Sequence, residues 1–156
     1  MPKTDPQLSM DMANLLSQSL AKETNEIALS ALIDSFMTHQ TVGLQNNIPM
    51  DEKSLKLVNS GLIDKRSRVR TAWAVAVSEV IWNIKYSSTS GSAVLSFSKY
   101  IAKNLLQTFK ESTSNPLQAL QNGTITSAYA ISAASLGRWL PWGDDQLGKP
   151  FVFYKF

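Results

Sequence analysis

Four cations stand within six residues, Lys65, Arg66, Arg68 and Arg70, directly after the carboxylate Asp64. Guanidinium and ammonium groups at that density bind anions: a phosphate, or the carboxylates of another protein surface. The apolar spacing places them at the start of a helix, with Asp64 as the cap. There the backbone dipole disfavours positive charge by about 0.3–1 kcal/mol per group at low salt. Three readings follow. The corner is simply solvated, with Asp64 offsetting part of the cost; or Asp64 and Arg70 belong to an ion-pair system between neighbouring helical units; or Lys65, Arg66 and Arg68 contact nucleic-acid phosphates or an acidic protein partner.

Few other residues could do chemistry. His39 is the single histidine, and cysteine is absent. Thiol nucleophiles, disulfides, thiolate metal sites and any centre needing two imidazoles are therefore excluded. An enzyme would have to be a hydrolase built on a serine and His39, yet His39 has no second His or acid close in sequence. It reads as a surface residue. Asp144-Asp145 is a carboxylate pair whose members point apart, in a loop. Ser87 to Ser92 reads as a flexible polar linker that could be phosphorylated. Trp73 and Trp82 lie nine residues apart, on opposite sides of one helix; Trp73 belongs to the core stripe, and Trp82 faces an adjacent unit or a partner. No catalytic, cofactor-binding or metal-binding residue is assigned, and no cofactor is expected.

The elements that position these residues are helical. The chain has 156 residues, 44% of them hydrophobic and 17% charged, with a net charge of +3. That suits one folded domain of an intracellular, cytoplasmic protein. The N-terminus lacks an apolar signal segment, and the longest apolar run, Ala72 to Ile84, is too short for a bilayer. Asp5-Pro6 opens a first helix with a stripe of Leu8, Met12, Leu15, Leu16 and Leu20. Thr24 caps a second, whose apolar face carries Ile27, Ala31, Leu32, Ile33 and Phe36. His39 to Asn47, polar and containing a glycine, reads as a loop. Asp51-Glu52 opens a third helix with Leu55, Val58 and Leu62. The fourth, from about Lys65 to Tyr86, is the most regular: Val69, Trp73, Ala76, Val77, Val80 and Ile84 form its stripe. The fifth runs from Ala93 to about Lys110, with Val94, Phe97, Ile101, Leu105 and Phe109 inward. Asn115-Pro116 is a further cap, and a sixth helix, rich in small residues, runs from Thr124 to about Leu140. Only Phe151 to Phe156 alternates like a strand, and it is too short to found a sheet.

The spacing implies an all-α chain of three helix pairs, at about residues 5–38, 51–86 and 93–140, followed by an irregular tail over 141–156. A self-match lays Ile27 over Val69, an offset of 42 residues. That is the period of HEAT and armadillo arrays, α-solenoids in which each hairpin buries a face on the next. Asp64, Val69 and Arg70 resemble the HEAT signature. The first unit departs from it, with Lys22 for the acid and Ala28 for the base, and the third has Thr126 in the basic position.

The order of segments LSMDMANLLSQSLAKETNEIALSALIDSF, SGLIDKRSRVRTAWAVAVSEVIW and SAYAISAAS resembles the N-terminal half of a eukaryotic family. These are the large HEAT-repeat translational activators of the general control non-derepressible family. The resemblance spans roughly Leu8 to Leu140. It implies a non-catalytic scaffold that sits on ribosomes and helps activate the kinase that phosphorylates initiation factor two in amino-acid starvation. Its partners would be the ribosome and proteins of that kinase pathway, with no membrane and no small-molecule substrate. It also implies that this chain is a piece of a longer array with cut end faces. The alternative is another HEAT scaffold, of the nuclear transport receptor or phosphatase type.

Overall fold

The computed structural model describes residues 5–85 and 92–114, with side chains placed through Ile81 and, in the last helix, through Asn104 and at Gln107. These residues form five α-helices: α1 (Pro6–Lys22), α2 (Glu26–Gln45), α3 (Glu52–Leu62), α4 (Ser67–Lys85) and α5 (Ser92–Ser114). There is no strand among the described residues. The sixth helix, the Asn115-Pro116 cap, the linker through Gly91, Asp144-Asp145, the tail, and the side chains of Trp82, Ile84, Leu105 and Phe109 lie outside them.

Helix starts follow the capping chemistry of the sequence. The Asp5 carboxylate accepts the Gln7 N–H at 3.0 Å, with Pro6 at the first helical position. The Asp51 carboxylate accepts the Ser54 N–H at 2.8 Å. The cap of α2 is Asn25, not Thr24: its side-chain oxygen accepts from Ile27 and Ala28.

Two features of α2 depart from the sequence reading. The helix continues through the segment read as a loop and ends at Gln45. Gly43 is tolerated inside it because α1 comes close there; a Cβ on Gly43 would lie 2.7 Å from the Met10 sulfur. Gln40, polar but buried, is satisfied across to α3 by donating to the Ser54 hydroxyl at 3.1 Å. The buried face is also rotated from the expected one. Leu29, Ile33, Phe36, Met37, Gln40 and Leu44 point inward, while Ile27 and Ala31 are exposed.

The end of α2 is built by Asn47, which has a positive φ of 59°. Its N–H bonds the Leu44 carbonyl and the Ile48 N–H bonds the Gly43 carbonyl, a Schellman arrangement with Asn in the left-handed position. The Asn47 side chain then reaches forward. Its oxygen accepts the Ala93 N–H at 2.9 Å, capping α5 from 46 residues away in sequence.

α1 pairs with α2 and α3 with α4, and the second helices of the two pairs, α2 and α4, lie side by side. This is a pair of successive helical hairpins. α5 rests on α2, α3 and α4. The core runs along the α2–α4 seam, where Phe36 and Trp73 meet edge to face with centroids 5.9 Å apart. Val69, Trp73, Val77 and Val80 are all buried, as the stripe requires, and Arg68 is exposed. Burial corrects the repeat register. Leu29 matches Val69, Ile33 matches Trp73 and Met37 matches Val77, an offset of 40 residues, whereas the 42-residue match sets exposed Ile27 against buried Val69.

Candidate functional site

The basic segment is the turn that joins α3 to α4. α3 closes with the Ile63 and Asp64 N–H groups bonded to Ser60 and Gly61 carbonyls. The Asp64 carboxylate then folds the chain forward by accepting the Arg66 N–H at 2.9 Å, an Asx turn. It also holds the Arg66 guanidinium by two bonds of 3.0 Å. α4 starts at Ser67, its first intrahelical bond running from the Arg70 N–H to the Arg66 carbonyl. Lys65 and Arg66 thus precede the helix that the stripe extended to Lys65. Only Arg68 and Arg70 sit in its first turns.

The four cations have three different environments. Lys65 and Arg68 are exposed, and neither has an ion-pair partner among the described residues. Arg66 is exposed but engaged by Asp64. The Arg66 hydrogen bond holds the Asp64 carboxyl below the usual carboxylate range, against the opposing push of its partial burial. Arg70 is 3% exposed. One of its terminal nitrogens donates to the backbone carbonyl of Asp64 at 2.6 Å, while its Nε is buried without a hydrogen-bond partner. Asp64 and Arg70 therefore meet through a main-chain oxygen, and the Asp64 carboxylate goes to Arg66. Arg70 acts as an internal clamp that fixes the turn to α4, with Lys65 exposed in that turn and Arg68 exposed in the first turn of the helix.

A second surface was hidden from the sequence by the misread end of α2. Between α2 and α4 lies a groove of about 200 Å³ lined by Asp34, Met37, Val42, Ala76, Glu79 and Val80, among others. Extending the α2 periodicity past His39 would have put Val42 on the same face as Asp34. The glycine and the run of polar residues argued against doing so.

His39 is half-buried within α2. Among the described residues no group of three or more His, Asp or Glu side chains is placed to hold a metal ion. No described helix is long and apolar enough to cross a membrane.

Compared with known families, residues 1–152 match the model described as general control nonderepressible 1 (Gcn1) N-terminal. No curated protein and no solved structure matches the chain.

Proposed function

Because this chain belongs to the Gcn1 N-terminal family, we propose that it is a non-catalytic scaffold of a cytoplasmic regulator of translation. In this reading it docks on the ribosome through the basic turn and supports activation of the kinase that phosphorylates initiation factor two. The observation that supports the docking role is the environment of the cations. Lys65 and Arg68 have no ion-pair partner among the described residues, and they stand in and just after a turn held by Asp64, Arg66 and buried Arg70. A fixed array loses little side-chain and loop entropy on binding, so it suits the regularly spaced phosphates of ribosomal RNA. In the same reading the described helices are two hairpins and the opening helix of a third.

The test is co-sedimentation of the full-length parent protein with ribosomes over a series of salt concentrations. Lys65→Glu/Arg68→Glu removes two cations with no structural bond. Arg66 is left intact because its reversal would also break the Asp64 turn. The double variant is expected to bind more weakly at every salt concentration, with a shallower dependence of log affinity on log salt, by a slope change of about two. Unchanged binding and slope would make the turn a solvated corner and move the ribosome contact elsewhere.

A further inference from the structure

We propose that the groove between α2 and α4 binds a basic segment of a partner protein, with a lysine or arginine side chain laid along it. The groove has an apolar floor, Met37, Val42, Ala76 and Val80, and one carboxylate on each wall, Asp34 from α2 and Glu79 from α4. No cation lines it. Both carboxylates are exposed, and neither has a hydrogen-bond or ion-pair partner among the described residues. The two hydroxyl side chains that line the groove are already committed: Thr38 donates to the Asp34 carbonyl at 2.8 Å and Thr41 to the Met37 carbonyl at 2.7 Å.

An apolar channel edged by two free carboxylates matches the two-part chemistry of a long cationic side chain. The methylene stem covers the floor and the charged head meets the acids. A volume of about 200 Å³ accommodates one such side chain with part of its backbone, not a whole domain. The same carboxylates repel nucleic-acid and lipid phosphates, so the occupant is a polypeptide. The chain as a whole has a net charge of +3, so this acidic groove is set against the overall field. The basic turn opens α4, whereas Ala76, Glu79 and Val80 lie in the second half of that helix. The two surfaces select opposite charges, and the proposal stands without the ribosome contact.

The experiment titrates the intact 156-residue chain with a fluorescein-labelled helical peptide bearing lysines at i and i+4, and with its counterpart bearing glutamates there. The readouts are anisotropy and backbone amide shifts. The lysine peptide is expected to bind and to shift amides around Thr41, Val42 and Val80, while the glutamate peptide does not bind. The near-isosteric double substitution Asp34→Asn/Glu79→Gln is expected to weaken the lysine peptide at least tenfold at an unchanged unfolding midpoint. Lys65→Glu/Arg68→Glu is expected to leave the shifts around Thr41 and Val80 in place. Equal affinity of the lysine peptide for the wild type and the Asn/Gln variant, shifts confined to another face, or no binding at all would each overturn the proposal.

Discussion

Arg70 shows how far a residue's role depends on where its side chain ends. In sequence it is one of four adjacent cations, and spacing alone makes it a candidate for an exposed pair of order 1 kcal/mol. In the structure it lies under the turn, stem buried, with one nitrogen on the Asp64 carbonyl. Reversing its charge would put a carboxylate against that carbonyl in a dry site, so Arg70→Glu should cost well above the value for an exposed pair, about 3–5 kcal/mol. Arg68→Glu, on the solvent side of the same helix, should stay within about 0.5 kcal/mol. Urea unfolding of the two variants checks the contrast; equal, small losses would place Arg70 outside the core. The sequence could show that Arg70 differs from its neighbours, since it follows Val69 on the edge of the stripe. It could not show that the Asp64 carboxylate would be taken by Arg66, because that depends on the backbone path before the helix.

Among the elements, α4 was the most legible and α1 and α2 the least, for one physical reason. The apolar residues of α4 form a single stripe, so only one face can be buried, and the stripe from Val69 to Val80 is buried as read. α1 has large apolar residues on a wide arc. The structure buries Ser9, Ala13 and Leu20, leaving Leu8 and Leu15 about 60% exposed, because the smaller side chains let α2 approach. α2 is apolar round much of its circumference, and its inward face is settled by its neighbours on two sides, which periodicity within one helix does not contain. The α3–α4 contact is equally specific. Gly61 lies against the Trp73 indole so closely that any Cβ there would collide with the ring. Gly61→Ala should therefore destabilise by about 1–3 kcal/mol although alanine is the better helix former. Trp73→Ala should cost about 3–5 kcal/mol, since the ring also packs on Phe36. Denaturant midpoints test both, and a Gly61→Ala protein as stable as the parent would mean that the two helices can separate at no cost.

For the whole molecule, the fold class and the hairpin order followed from helix count, short connections and a repeat near 40 residues. The register within that repeat did not. Local strings aligned at 42, and only burial showed that the packing repeats at 40. The basic turn could be found from sequence as a cluster, whereas the acidic groove needed two helices placed side by side. The same placement leaves Leu8, Met12 and Leu15 on one outer face of α1, without cover from the described residues. An apolar face of that kind favours association. Sedimentation of the 156-residue chain should show weight-average mass rising with concentration, and Leu8→Ser/Leu15→Ser should suppress the rise. A parent that stays monomeric across the range would mean that this face is solvated as it stands.

The Asn47 cap carries a consequence for how the chain acquires its structure. α5 takes a bond for its first turn from a residue that adopts its shape only when the end of α2 has formed. Helix nucleation is the costly step, and a preformed cap lowers that cost. The start of α5 is therefore templated by a hairpin made earlier in the chain. On the ribosome, where the N-terminal part emerges first, this gives folding a direction. α5 would nucleate on a finished hairpin, and the growing chain would hold one unfinished helix fewer at that stage.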